Sequence, residues 1–519
     1  MANKGLFASA VAKLLPQSAL VPDAVNREAA PAYVYGPEAK LAQLAATGTL
    51  ADSFYATAEQ HLAEALEAAR GCDPAFVAKA AVYARQVGAM KDMPALLAAY
   101  LTVAEPDLAV RVFGRVVDTG RMLRSYVQIL RSGQVGRTSL GSRPKRLVTQ
   151  WLERASIRDL LAAATGTSPS LADIVRMVHP KPSDAARRAF YGWLIGKPYD
   201  LAALPAEIAA FEAWKLEPSG PLPPVPFEWL TARPLTAEQW GELAGRMGWQ
   251  ALRINLNTLA RNGAFGVAGV TETVAGRLAD PVALTKARVL PYQLLVALRS
   301  VGEDVPLAVQ AALETALEAS LAKVPEVAGN VVVCPDVSGS MSSPATGYRK
   351  GASSTVRCID VAALVAAAML RTNRHARVLP FEVGVVKVAL DPNARLAVNA
   401  AKLAAIGGGG TNVSAALGVL NKERAAVDLV VIVSDNESWV DARRSGATAT
   451  IQEWERLKRR NPNAKLVCVD IQPHGTTQAA GRADILNVGG FSDAVFETVA
   501  RFAEGQTRDW VELVNETEV

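Results

Sequence analysis

Asp336, Ser338 and Ser340 stand together at the end of the apolar run Val331-Val332-Val333-Cys334-Pro335, with Gly339 easing the turn between the two serines. One carboxylate and two hydroxyls on a tight loop are hard oxygen donors. They suit Mg²⁺ with part of its water retained, or Mn²⁺ or Ca²⁺, rather than zinc. A second carboxylate, Asp435, follows the run Asp428–Val433 within Ser434-Asp435-Asn436-Glu437-Ser438. Between the two lies Ile406-Gly407-Gly408-Gly409-Gly410-Thr411-Asn412, a glycine loop that delivers the Thr411 hydroxyl ahead of a helix. Asp336, Ser338, Ser340, Thr411 and Asp435 are the candidate metal ligands. The competing reading is three unrelated polar loops, and even an assembled set can serve mainly to hold loops in place.

The other chemistry-bearing stretch is basic. From Thr119 to Trp151 the chain carries Arg121, Arg124, Arg131, Arg137, Arg143, Lys145 and Arg146, with no acidic residue before Glu153. Its centre, Gly136 to Arg146, is a Gly/Ser-bearing loop entering a helix, where backbone N–H groups and guanidinium forks favour phosphate. His179, Lys181, Arg187 and Arg188 add cations downstream. A solvated basic face explains many such runs; a run without counter-charge in a balanced protein leans toward a polyanion.

The elements that must position these groups differ between the two halves. From about Glu38 to Lys323 nearly every segment has helical periodicity, and more than a dozen short helices in series point to stacked helical pairs of the degenerate, HEAT-like kind. The proline-rich segment 217–226 reads as a long loop inside that region. Near Val324-Pro325 the period changes, and strands at 330–334, 376–381, 383–390, 428–433 and 464–471 alternate with helices, the pattern of βαβ units and a mostly parallel sheet. Such sheets place ligands at the carboxyl ends of their strands, where Asp336 and Asp435 fall. The expected organisation is therefore multidomain: an all-α helical-repeat module over 1–325 and an α/β doubly wound, Rossmann-like domain over 326–519.

With 519 residues the chain is too long for one core of roughly 250–300 residues. A net charge of +5 is modest for this size, so a nucleic-acid reading rests on local clustering. Cys72, Cys334, Cys358 and Cys468 form no C-x-x-C pair, which argues against a zinc site or disulfide framework and fits a reducing cytoplasm. His61, His179, His375 and His474 form no metal-spaced pair, and no phosphate-binding Gly-x-x-x-x-Gly-Lys loop or nucleophile–base signature appears. No apolar run is long enough to span a bilayer, and Lys13 interrupts what would be the apolar part of a secretory leader. The expectation is a cytoplasmic, non-enzymatic protein without a membrane partner.

The order Asp-x-Ser-x-Ser, Thr, Asp on a strand–helix background resembles the metal-ion-dependent adhesion site (MIDAS) of von Willebrand factor A (vWA) domains. A helical N-terminal half with a Lys-Arg helix running into Trp151-Leu152, then Met177-Val178-His179-Pro180-Lys181-Pro182, then such a domain, resembles the Ro autoantigen family, which joins a TROVE module to a vWA domain. Pro31–Gly36, Lys286–Leu298 and Ala464–Val469 carry further local matches, and the Ala/Arg-rich composition resembles a bacterial Ro orthologue. The resemblance implies a ring of HEAT-like repeats closed by the A domain. It implies a ribonucleoprotein that binds small noncoding Y RNA on the ring's outer surface and takes single-stranded 3′ ends of misfolded or structured RNA into the central hole. A role in RNA quality control, processing or stress response, with a 3′-exoribonuclease as partner, follows from the same resemblance. Carried over by motif, Lys145, Arg146, His179 and Lys181 would face RNA, and Arg137 and Arg143 match more loosely because their loop departs from the family's glycine-rich version. The alternative is a protein-interaction module whose A-domain metal grips an acidic partner.

Overall fold

A computed structural model describes residues 22–25, 30–47, 50, 57–166, 168–287, 289, 291–321, 324–345, 356–373, 375–435, 448–472, 476–477, 479, 481–490, 493–507 and 509–519. The chain forms two compact units, each discontinuous in sequence. One comprises 73–289, 297–316 and 517–519; the other takes in residues up to Cys72 together with 290–296 and 317–516. These units do not share the 1–325 and 326–519 boundaries that periodicity suggests, because the N-terminal segment packs with the sheet.

The first unit is helical. Helices α1 (Pro74–Gln86), α2 (Asp92–Ala104), α3 (Pro106–Val116), α4 (Gly120–Arg131), α5 (Ser142–Arg154), α6 (Leu171–Val178) and α7 (Ala185–Ile195) are followed by further helices to Lys286 and by Leu307–Ser320. Their starts are written locally: Asp73 accepts the Ala75 N–H at 2.7 Å with Pro74 in the first turn, and Thr119 accepts the Met122 N–H. Helix α2 buries all but a few of its residues because α1, α3 and α4 all pack on it. Arginines fasten helices that are not adjacent in sequence by capping carboxyl ends. Arg187 donates to the carbonyls of Leu152, Glu153 and Ala155 at the end of α5, and Arg277 to those of Ala244 and Met247. A guanidinium there satisfies orphan carbonyls and opposes the helix dipole.

The second unit is built on five parallel strands: β1 (Val331–Pro335), β2 (Arg377–Val378), β3 (Leu429–Ser434), β4 (Lys465–Asp470) and β5 (Ile485–Gly489), ordered β2-β1-β3-β4-β5. Strands β1 and β3 are buried throughout, as a sheet covered on both faces requires. Helix α8 (Cys358–Thr372), buried from Cys358 to Leu370, covers β1. Helices α9 (Ala415–Glu423) and α10 (Ala449–Lys458) pack on each other, and Trp454 and Leu417 enter the core beside Val430 and Leu466. After β1 the chain winds to one side, then returns to place β3 on the other, so the β1/β3 junction is the sheet's switch point.

Two expectations change. The alternating stretch 383–390 forms no strand: Glu382 N–H bonds to Gly384 C=O and Val386 N–H to Pro380 C=O, folding the chain back in a tight turn. The β5 edge, unmarked in the sequence, is closed by the N-terminal segment. Residues Pro31–Val34 pair with Thr476–Thr477, and the helix Pro37–Thr47 lies against β5. Buried Gln43 donates to the Asn487 carbonyl at 2.5 Å and accepts the Gly489 N–H, so one side-chain amide completes the edge as a further strand would. Replacing Gln43 by Met should destabilise the protein by about 2 kcal/mol, seen as a lower urea midpoint, because it strands a buried donor and acceptor together.

Candidate functional site

Parallel pairing in register sets Pro335 opposite Val433, so Asp336 emerges beside Ser434 and one residue short of Asp435. Asp336 N–H donates to the Val433 carbonyl at 2.8 Å. Its Oδ1 accepts the Ser338 N–H at 2.9 Å and its Oδ2 the Ser434 hydroxyl at 2.6 Å. The Thr411 hydroxyl donates to Ser338 Oγ at 3.0 Å, and Ser338 Oγ lies 3.3 Å from Ser340 Oγ. Asp336 and Asp435 are fully buried, Ser338 and Thr411 nearly so, and Ser340 is half-exposed. The structure thus links four of the five expected ligands by hydrogen bonds and sets Asp435 close enough to act on Asp336 through its charge. Asn436 to Ser438 lie outside the described residues.

The glycine loop is placed by backbone as much as by Thr411. Gly339 N–H donates to the Gly409 carbonyl at 3.1 Å, and Gly407, Gly408 and Gly409 take φ of +63°, +139° and +67°, which side chains resist. A Cβ on Gly409 would also stand 2.6 Å from the Glu382 carboxylate. Glu382 accepts the Asn412 N–H through its carbonyl at 2.9 Å, so the turn at 380–386 buttresses the loop. Sequence reading passed over Ser434 and Glu382. The one clue to Ser434 was its position before Asp435 on a strand adjacent to Asp336.

Burial first, and then the charge of Asp435, push the Asp336 carboxyl up to about 7, against the hydrogen bonds from Ser338 and Ser434 that favour its charged form. Two carboxylates out of water call for a positive charge between them, and hydroxyls at hydrogen-bond distance supply the hard donors a divalent cation takes. Among the described residues no group of three or more His, Cys, Asp or Glu can hold a metal. A cation here would therefore rest on two carboxylates, three hydroxyls and water, and the residues fit Mg²⁺ on those terms.

The basic loop is also assembled. Gly141, at φ +68°, precedes α5, whose amino end receives no side-chain cap and has no acidic residue in its first turn. The Arg137 guanidinium lies over Gly141, where a Cβ would meet it at 2.1 Å, and its Nε–H donates to the Ser139 carbonyl. Arg143 pairs with exposed Asp107 at 3.0 Å, and Lys145 and Arg146 are exposed. Arg137 and Arg143 border a cavity of about 230 Å³ that Pro106, Val110 and Leu147 also line. His179 and Lys181 are exposed on the loop between α6 and α7. That loop leads to Arg187 at the carboxyl end of α5, whereas Lys145 and Arg146 occupy its first turns. Six residues separate Arg146 from Leu152, about 9 Å along the axis. The cations thus follow the helix rather than converge on one point. Two of the arginines serve structure instead: Arg187, downstream of the run, caps α5, and Arg124, within it, reaches the Ala163 carbonyl at 3.3 Å.

In metal-free protein the native state holds a proton on the Asp336/Asp435 pair that the unfolded chain has released. Its contribution to stability is full below about pH 4 and lost as pH rises through about 7. Denaturation midpoints in EDTA should show that slope and Asp336→Asn should flatten it. At pH 8, Mn²⁺ should raise the melting temperature of the parent chain but not of Asp336→Ala.

Residues 330–503 match the family model of the Ro60 vWA domain. Over 530 aligned residues the chain is 26% identical to the RNA-binding protein RO60 of Deinococcus radiodurans, covering 95% of this chain and 97% of that protein. The crystal structure of the Deinococcus radiodurans RO (RSR) protein aligns with a TM-score of 0.63 at 23% identity, covering 91% of this chain and 100% of that one, a likeness of fold. Residues 330–503 thus match a von Willebrand factor A domain of the Ro60 type, and the chain is similar to RO60 over 95% of its length.

Proposed function

We propose that this chain is a non-enzymatic RNA-binding protein that grips phosphates along α5. The observation that carries the reading is the amino end of α5, uncapped and without an acidic residue in its own first turn, with Arg137, Arg143, Lys145 and Arg146 around it. Likeness over 95% of the chain to a protein named for RNA binding supports it. Cations spaced along a helix suit a linear polyanion. Phosphate contacts would supply most of the affinity, and shape would count for more than base sequence. Within this reading, structured Y RNA lies on the outer face of the expected TROVE module and single-stranded 3′ ends enter the hole of its ring. The chain then acts in cytoplasmic RNA quality control and can hand RNA to a 3′-exoribonuclease. Among the described residues no helix is long and apolar enough to cross a membrane.

A second reading is favoured by the buried Asp336/Asp435 pair and its hydroxyls: a divalent cation held there with one position open to a partner's carboxylate. The two readings use different units and separate cleanly. The double change Lys145→Glu/Arg146→Glu should cut RNA affinity at least tenfold and make its salt dependence shallower by about 1.4 in log–log slope, with the melting temperature unchanged. Asp336→Ala should leave RNA binding intact while abolishing Mg²⁺-dependent capture of an acidic protein. Filter binding across a salt series checks the first, and unchanged affinity in the double variant would move the RNA elsewhere.

A further inference from the structure

A second cationic surface lies within the α/β unit itself. Helices α9 and α10 border an open groove of about 630 Å³ whose walls carry Lys422, Arg456, Arg459 and Arg460, all exposed, against a single carboxylate among the described residues, Glu453. Gly418 leaves part of its floor without a side chain. The groove's internal bonds hold the two helices together and consume the acid. Asn421 donates to the Glu453 carbonyl at 2.8 Å and carboxylate at 2.7 Å, Arg456 pairs with Glu453 at 2.6 Å, and Arg460 donates to Asn421 Oδ1. The neighbouring acids are also engaged: Glu423 by Arg377 and Glu455 by Arg482. The side chains of Lys422 and Arg459 have no hydrogen-bond or ion-pair partner among the described residues. Lys422 and Arg456 stand in the last turns of α9 and α10, where basic residues commonly oppose the dipole, but four cations against Glu453 exceed that need.

The carboxyl ends of α9 and α10 lead into the starts of β3 and β4, so the groove lies toward the amino edge of the sheet, across from the Asp336 cluster. Among the described residues no aliphatic or aromatic side chain lines it. A peptide partner would find no pocket for an apolar anchor, whereas a nucleic-acid backbone needs only cations and amide donors. We infer that this groove is a second RNA-backbone site, engaging phosphates through Lys422 and Arg459 with Arg456 and Arg460 beside them. The inference rests on the RNA-binding reading and extends it to the A domain.

The test uses the full chain in EDTA with fluorescein-labelled polyuridylate as the probe, followed by anisotropy across a salt series. Lys422→Glu/Arg459→Glu should weaken binding roughly tenfold and make the log–log salt slope shallower by about 1.4, the value for two lost phosphate contacts on a single strand. Lys422→Arg/Arg459→Lys should bind as the parent does, and melting curves should coincide. If the reversed pair disturbs folding, Lys422→Gln/Arg459→Gln gives the same reading with a smaller loss. Unchanged affinity and slope overturn the groove even where Lys145→Glu/Arg146→Glu abolishes binding, an outcome that leaves the α5 reading standing. Failure of the parent chain to bind the probe overturns both. Loss of polyglutamate binding with RNA binding unchanged assigns the groove to an acidic protein and overturns it as an RNA site.

Discussion

The in-register pairing of β1 with β3 is the constraint on which the α/β unit depends. It fixes Asp336 beside Ser434 and brings Asp435 alongside, each at the end of a strand buried on both faces. A shift of one residue would turn Asp336 to the opposite face and break the Ser434 hydrogen bond. The glycine loop, the turn at Glu382 and helix α8 can then be understood as the covering that keeps these carboxylates out of water. Two buried like charges oppose folding unless something offsets them, so the rest of the unit carries that cost through its apolar sheet.

The helical unit solves a different problem. Its helices are short, and a short helix leaves a large share of its carbonyls without an internal partner. Arg187, Arg124 and Arg277 supply the missing donors from a neighbouring helix, which makes arginine a connector as well as a surface charge. Burial lowers the pKa of both Arg124 and Arg277, so each guanidinium is held in place against a desolvation cost. The exposed cations on α5 are free of that duty, Arg143 apart from its surface pair with Asp107, and a surface pair of that kind is weak enough for a phosphate to displace.

Much of this was legible in the residues. Valine runs ending in Asp-x-Ser-x-Ser and in Ser-Asp encode buried parallel strands with polar ends, and the glycine loop announces a backbone conformation that other residues avoid. What escaped was whatever depends on partners distant in sequence. The alternation at 383–390 has the period of a strand, but period alone cannot tell a ladder from a chain folded back on itself. Strand β5 reads Ile-Leu-Asn-Val-Gly, with Asn487 in its middle, because that residue bonds the Ala479 carbonyl and the Thr477 hydroxyl instead of facing a helix. A run of arginines likewise does not say which of them cap helices and which face solvent.

The bond between Gln43 and β5 joins residues 444 apart in sequence. On a ribosome adding about 5–20 residues per second, the segment that closes the sheet would wait on the order of half a minute or more for the strand it closes. Through that interval the helical repeats, rich in local contacts, can fold, while the segment around Gln43 lacks the strand it will close. Contacts of such long range are slow to form, and they leave an incomplete sheet edge open to other chains. The order of synthesis therefore makes the α/β unit mature after the helical repeats, and its Gln43 segment a seal applied only once β5 has been made.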